Sequence, residues 1–318
     1  MRRANRLHTR CAAILLACVL LALSAACGDS GEDWITTDST ATTASGGTTA
    51  TTVSSEFSGD YTAPVFRTGR YKMVSTSINN SVYKDGVGTT LYSDGTMTRY
   101  TYILDITVSD AGIVCRYTFS EIYGTSTEDG EESVVIDTTN SSLKDSTTQV
   151  FYDLIGRSFS ASAGTNGVLS GVTGISDIVA DVPDAATLIS DDLMYSMASD
   201  LFYSMPSVFT TGTSWMLTQH GVTNTYSLSR MSRGSFGVSI IGSELTLPDP
   251  VTDADGYTTT FSSMLPLSGF LWLDQTDRAV QELTSYQRSE GMFANDEGYG
   301  AYFTLTATSS CTIQSIKK

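Results

Sequence analysis

Few residues in this 318-residue chain have the types and spacing that catalysis or metal binding needs. After residue 27 the chain has one histidine, His220, and two cysteines, Cys115 and Cys311. A zinc site needs several such ligands at chelating spacing, and a catalytic cysteine needs a histidine or another cation beside it. His220 stands in a Gln-His-Gly segment that is typical of a turn. The sequence therefore predicts no metal site, no cofactor and no catalytic residue.

Carboxylates are the other candidates, and several of them fall in one predicted loop. Asp249, Asp253 and Asp255 precede Gly256, as in part of an oxygen-ligand loop. The alternating acids and the distal glutamate of an EF-hand are absent, since Phe261 falls near where that acid would stand. We therefore expect a solvated turn. A carboxylate-based hydrolase stays open as a minor alternative, because acids are numerous although no pair stands out.

The two later cysteines both lie on the apolar face of a predicted strand, so we expect both side chains in one core. Export to an oxidising compartment would allow a disulfide between Cys115 and Cys311. The alternative is two buried free thiols, which behave as small hydrophobic side chains.

The N-terminus has the organisation of an export signal. A basic stretch, Met1 to Arg10, precedes an apolar run from Cys11 to Leu23. That run is shorter than the roughly 20 residues that a membrane-spanning helix needs. The following Ser24-Ala25-Ala26-Cys27 resembles the bacterial lipobox, which implies cleavage before Cys27 and lipid attachment to it. An ordinary secretory signal cut near Ala26, or an uncleaved anchor, is the alternative.

The lipobox resemblance implies a place in the cell and a partner, which is a membrane reached through a lipid anchor. In such lipoproteins an aspartate after the cysteine favours the inner membrane, but here the residue is Gly28. We therefore expect the cell envelope, facing the periplasm or the exterior, on the outer membrane if the organism has one. Residues 1–26 are then the signal peptide, and residues 27–56 form a disordered Ser/Thr-rich tether. Residues 57–318 form one β-rich domain.

The charge of the chain excludes one class of partner. The whole sequence carries a formal charge of −16, and its signal contains four arginines and no acid. The remainder therefore has 14 basic and 34 acidic residues, a net charge of −20. Such a surface repels phosphate backbones, so we expect no nucleic-acid binding. The identity of any small-molecule or protein partner is left open.

Apolar residues alternate with polar ones through most of the domain, which predicts β-strands. Turn segments at 109–112, 232–235 and 275–277 divide the pattern into three antiparallel hairpins, and a further strand covers residues 302–314. A sheet of about ten long, twisted strands must curl. We predict a mainly β (α+β) fold, a large curved antiparallel sheet forming a half-barrel or barrel, with one or two helices inserted mid-chain.

One segment has a helical period instead. Apolar residues recur at four-residue steps from Ala185 to Met205, after Pro183 and before Pro206. This pattern predicts one helix, or two short ones broken near Ser190, where Ser-Asp-Asp forms a natural N-cap. We expect the helix to pack on the concave side of the sheet.

The predicted concave face is rich in aromatic residues. Those that could contact a ligand are Tyr100, Tyr102, Tyr117, Phe119, Trp215, Tyr226 and Phe303. This set favours a non-enzymatic envelope lipoprotein that holds an apolar or amphipathic ligand. A structural or interaction module, contacting protein or glycan through its Thr-rich outer faces or acidic loops, is the alternative. The ligand hypothesis fails if these side chains close on each other and leave no cavity.

The central stretch is similar to a family of uncharacterised bacterial lipoproteins known only as a domain of unknown function. The matching segments span roughly residues 71–311 and are Leu154 to Phe159, Gly167-Val168, Phe202, Pro206 and Gly212-Thr213-Ser214-Trp215. In the family the last motif typically has an acid where this chain has Thr213. The resemblance implies an envelope lipoprotein with a β-rich domain, and it implies no activity.

Overall fold

A computed structural model provides the fold of the domain. It describes residues 55–56, 61–62, 66–165, 167–202, 205–208, 210–219, 222–232, 234–253, 256–276, 278–295 and 300–316. The predicted signal peptide, Cys27 and most of the predicted tether lie outside these residues, as do His220 and Asp255. The predicted N-terminal boundary of the domain, at residue 57, also lies outside the described residues.

Strands make up most of the described chain. Those of the first half are β1 (Ser55–Glu56), β2 (Tyr61–Thr62), β3 (Gly69–Lys84), β4 (Thr90–Ser109), β5 (Gly112–Glu128), β6 (Glu131–Asp137), β7 (Ser158–Ala163) and β8 (Leu169–Thr173). Those of the second half are β9 (Met205–Pro206), β10 (Thr213–Gln219), β11 (Val222–Ser232), β12 (Ser235–Gly242), β13 (Val251–Thr252), β14 (Tyr257–Met264), β15 (Ser268–Asp274), β16 (Val280–Asn295) and β17 (Gly300–Ser315).

Fifteen of these strands form one sheet, in the order β1-β10-β11-β12-β15-β16-β17-β3-β4-β5-β7-β8. Off this path, β6 pairs with β5, β14 pairs with β16, and β13 pairs with β14. The pairing is antiparallel except between the two-residue β1 and β10. Strand β17 pairs with β3 and so joins the two halves of the chain. The sheet is not closed. The prediction of a mainly β fold with a large antiparallel sheet is therefore confirmed, in its open form.

The predicted hairpin turns are confirmed by the register. Ser109 pairs with Gly112, and Ser232 pairs with Ser235. Gly112 has φ +132°, and a Cβ atom there would lie 2.3 Å from the carbonyl oxygen of Ala163. Because only glycine fits both the backbone angle and the space, this turn sets how closely β5 approaches β7.

Within the described ranges, three short helices interrupt the strands: α1 (Gln149–Leu154), α2 (Ile175–Asp181) and α3 (Asp191–Ser199). The 3-10 turns Ser141–Leu143 and Pro183–Thr187 accompany them. The predicted break is confirmed, because the Ser190 side chain caps α3 by accepting a hydrogen bond from the Leu193 N–H at 3.1 Å. Helices α1 and α2 were not predicted, since six or seven residues are too few to show a helical period. In the described part of the chain, no helix has both the length and the apolar character to cross a membrane.

The apolar side of the sheet carries the main core. Helix α3 buries Met194 and Ala198 there. The hydroxyl of Tyr195 on the same helix donates a hydrogen bond to the Leu169 carbonyl of β8 at 3.0 Å. A smaller, separate core contains Tyr83, Phe293 and Phe303. Helix α3 therefore covers one part of the long strands, and side chains from the other part form the small separate core.

Candidate ligand cavity

A cavity of about 450 Å³ lies between the apolar side of the sheet and α3. Its walls come from both halves of the chain, because β4 and β5 contribute on one side and β11, β12 and β15 on the other. The central strands β3, β16 and β17 form its floor, and residues 188–200 cover it. The cavity is therefore enclosed between strands from both halves of the chain and the helical segment that covers them.

Four aromatic side chains line this cavity: Tyr100 and Tyr102 of β4, Phe119 of β5 and Tyr226 of β11. Tyr102 is fully buried and packs against Phe119, with the ring centroids 5.0 Å apart. Tyr100 is partly exposed and stacks beside Tyr102 at 6.2 Å. The predicted ligand face thus remains partly open after the aromatic residues have packed together.

A β-bulge in β5 places two of the core side chains. Tyr100 pairs with Ile122, but Tyr102 pairs with Phe119, so Ser120 is the extra residue. The bulge shifts the alternation by one position, and both Phe119 and Ile122 are therefore buried on the same side. A simple period-two pattern would have pointed Ile122 outward.

Small hydroxylated residues make the floor of the cavity. Ser285 pairs with Ser309, and Ser309 pairs with Ser77, so three serines form a row across β16, β17 and β3. The Oγ atoms of Ser285 and Ser309 are 2.6 Å apart, at hydrogen-bond distance. Ser77 and Ser309 are exposed, so the cavity opens to solvent at this row. Short side chains here leave the space that larger residues would fill.

Aliphatic side chains complete the wall. Leu193, Met194 and Met197 of α3 face Leu271 of β15 and Leu283 of β16 across the cavity. The cavity is thus polar at the open serine row and apolar elsewhere, apart from one charged group.

The charged group is Asp200, which caps the C-terminal end of α3. Among the described residues that line the cavity, it alone has a charged side chain. Part of its surface stays accessible, because it lines the cavity. The surrounding protein removes most of its hydration, and this desolvation raises the pKa of its carboxyl to about 7. The negative charge of Asp200 also contributes to the raised pKa values of Tyr226, Tyr117 and Cys311, after the larger effect of burial. Asp200 was not predicted as a site residue, since a polar residue at the end of an amphipathic helix is usually exposed.

Three of the predicted ligand-face residues do not line the cavity. Tyr117 is fully buried beneath it and stacks on Phe159 at 4.8 Å. Trp215 is buried behind Tyr226 and stacks on that ring at 5.4 Å. Phe303 belongs to the small separate core, because it stands eight residues before Cys311 on β17, about 26 Å along the strand. These three residues were predicted to contact a ligand, but they do not line this cavity.

Cys115 and Cys311 are both buried, as predicted, and both are free thiols. Cys115 of β5 pairs with Ile106 of β4. Cys311 of β17 pairs with Ser75 of β3, and Ser75 pairs with Tyr100 of β4, so Cys311 lies level with Tyr100. Three strand spacings, about 14 Å, separate β5 from β17, and the two positions are also far out of register. A disulfide needs Cα atoms within about 7 Å, so the structure favours the free-thiol alternative over the predicted bond.

The acidic loop forms a turn in the part that is described. The Asp253 carboxylate accepts a hydrogen bond from the Tyr257 N–H at 2.9 Å. Asp249 is exposed, and Asp255 lies outside the described residues. Throughout the described ranges, no three His, Cys, Asp or Glu side chains come together in a metal-binding group.

Comparisons with known proteins identify no family. No family model matches the chain, and no curated protein matches it. Five chains among the solved structures match. One of them, described as "Lipid-protein interactions in lipovitellin", has a TM-score of 0.49 and 8% sequence identity over 80% of this chain. The match covers 26% of that longer chain, and a likeness at this level carries no functional argument. The resemblance to uncharacterised lipoproteins stays a prediction.

Proposed function

We propose that this protein is a lipid-anchored protein of the cell envelope that holds an apolar or amphipathic ligand in the cavity under α3. Its role is binding, not catalysis. The cavity carries this proposal, because about 450 Å³ lined mainly by aromatic and aliphatic side chains is the usual form of a small-molecule site.

The distribution of polarity within the cavity supports an amphipathic occupant. Apolar atoms of Met197, Leu271 and Leu283 would contact a hydrocarbon portion. The hydroxyls of Ser77, Ser285 and Ser309 would hydrogen-bond to solvent, or to a further polar group of the ligand, at the solvent-facing end. A purely polar ligand would leave the apolar wall unmatched.

The sequence supports the anchor. Cys27 follows a short apolar run and two alanines, in the lipobox arrangement. Attached acyl chains would contribute about 0.8 kcal/mol for each methylene that the membrane buries, and stable anchoring needs more than one chain. The predicted location is the envelope, on the outer membrane if the organism has one.

Native mass spectrometry of the full-length protein, purified from its own host, tests the proposed binding. We expect a co-purified small molecule on the unmodified protein. Ser309→Phe would fill the cavity floor and remove that molecule, because Ser309 lines the cavity. Thr308→Phe is the matched control, since the neighbouring residue of a strand points to the opposite face. A protein without any bound molecule, or equal occupancy in both variants, would contradict the proposal.

A further inference from the structure

Two acceptor groups in the cavity have no donor among the described residues. The Asp200 carboxylate takes part in none of the hydrogen bonds or ion pairs found in the described chain. The Oδ1 atom of Asn224, which also lines the cavity, is buried and accepts no hydrogen bond there. A buried acceptor without a donor, such as Asn224 Oδ1, destabilises the fold. The two groups together offer acceptors to any donor that enters the space that they line.

The surrounding protein groups make the ionised form of Asp200 unfavourable. It caps the C-terminal end of α3, where the helix dipole is negative and disfavours another negative charge. The cavity lining contains neither lysine nor arginine among the described residues. A proton or an incoming cation is therefore what would neutralise the carboxylate.

The aromatic wall favours a cation over a neutral donor. Tyr100, Tyr102, Phe119 and Tyr226 line the same cavity. The negative face of an aromatic ring attracts ammonium groups, most strongly when they are desolvated. An ammonium group carries three donors and no acceptor, which matches a cavity that offers Asp200 and Asn224 as acceptors.

The charge of the whole protein acts in the same direction. After the predicted signal the chain carries a net charge of −20, which raises the local concentration of small cations and lowers that of anions. A fatty acid or another anionic amphipath would meet repulsion both from this field and from Asp200 itself.

We propose that the ligand of this cavity is an amphipathic amine, whose ammonium group pairs with the Asp200 carboxylate while its apolar portion packs on Tyr226, Met197 and Leu271. This inference rests on the proposed function and names the chemical class of its ligand.

Three probes with one skeleton and different polar groups test the ligand class: 4-phenylbutylamine, 4-phenylbutanol and 4-phenylbutyrate. Binding is measured by calorimetry at pH 8 on the full-length protein in lipid nanodiscs, with empty nanodiscs as the reference. We expect the amine to bind at least tenfold more tightly than the alcohol, and the carboxylate to bind most weakly. Equal affinities for the amine and the alcohol, or tightest binding of the carboxylate, would overturn the inference.

Asp200→Asn tests the residue, and Asp192→Asn is its matched control, because Asp192 is an exposed acid on the same helix. We expect Asp200→Asn to weaken amine binding at least tenfold and to change alcohol binding less than threefold. The control should leave both affinities unchanged. An amine preference that survives Asp200→Asn would overturn the inference.

The pH dependence of the unmodified protein gives a second test that needs no variant. Among the described residues, the titratable side chains that line the cavity with Asp200 or respond to its charge are Tyr100, Tyr102, Tyr117, Tyr226 and Cys311. Burial raises their pKa values, so they stay neutral below pH 8. Amine affinity should therefore fall about tenfold for each pH unit below the pKa of Asp200, while alcohol affinity stays constant. An amine affinity that does not change with pH would overturn the inference.

If none of the three probes binds at any pH, the proposed function fails too, whereas alcohol binding without an amine preference removes the inference alone.

Discussion

Asp200 at the end of α3 and Tyr226 of β11 line the same cavity, and the charge of the carboxylate acts on the tyrosine. Burial, together with the negative charge of Asp200, raises the pKa of Tyr226 to about 12. The ring of Tyr226 in turn stacks on Trp215 at 5.4 Å, which fixes its position. A carboxylate beside a well-fixed aromatic ring in an apolar cavity is an arrangement suited to binding a cationic amphipath.

The first prediction concerns the pH dependence of stability. The folded protein keeps the Asp200 proton up to about pH 7, whereas an unfolded chain loses it near pH 4. Between these values the folded state binds more protons, so the contribution of Asp200 to the free energy of unfolding falls as the pH rises. The full effect is at most about 4 kcal/mol.

Urea unfolding of the unmodified protein and of Asp200→Asn at pH 4.5, 6 and 7.5 measures this contribution. We expect the variant to gain stability over the unmodified protein as the pH increases. The comparison is needed because Asp85, Asp137 and Asp145 have lowered pKa values, which act in the opposite direction in both proteins. A constant difference between the two proteins would refute the assignment of a raised pKa to Asp200.

The second prediction concerns the thiols. Burial raises the pKa of Cys115 to about 12, and it raises that of Cys311 as well. Both thiols should resist iodoacetamide at pH 8 in the folded protein and react in urea without any reductant, because only the thiolate is nucleophilic. Peptide mass spectrometry locates the label. If both cysteines react in urea only after reduction, a disulfide joins them and the register found here is incorrect.

The third prediction concerns the turn between β4 and β5. Gly112→Ala should destabilise the protein by about 2–4 kcal/mol, since the new methyl group meets the Ala163 carbonyl and φ is positive. Gly130→Ala is the control, because φ is also positive there but no atom lies within 4 Å. It should cost about 1–2 kcal/mol, for the backbone angle alone. Equal losses in chemical denaturation would show that the close approach of β5 to β7 is not as described.

The fourth prediction concerns the anchor. Labelled palmitate fed to the host should enter the unmodified protein and should not enter Cys27→Ser. The variant should also leave the membrane fraction or accumulate with its signal uncut, whereas Cys115→Ser should behave as the unmodified protein does. Palmitate in the Cys27→Ser protein would rule out this residue as the site of lipid attachment.

The hairpins and the C-terminal strand could be predicted because long strands with one buried face display their period directly. The break at Ser190 was predictable too, since a capping serine before two acids has a local cause. The order of the strands could not be predicted from the sequence, because the pairing of β17 with β3 depends on contacts between distant parts of the chain.

The site itself was predicted only in part. One face of the sheet carries Tyr100, Tyr102, Phe119 and Tyr226. The alternation of apolar and polar residues along the strands was enough to predict this shared face. The place of Phe303 depends on how far along a 16-residue strand the helix reaches, which no local pattern contains. The importance of Asp200 depends on what surrounds it, so its type and position alone gave no signal.

A crystal structure of the full-length protein purified from its own host tests the central claim most directly. We predict elongated electron density between α3 and the row Ser285, Ser309 and Ser77, with its polar end at the Asp200 carboxylate. A cavity that contains only water, or one that closes because α3 packs down onto Leu271 and Leu283, would contradict the proposed ligand-binding role.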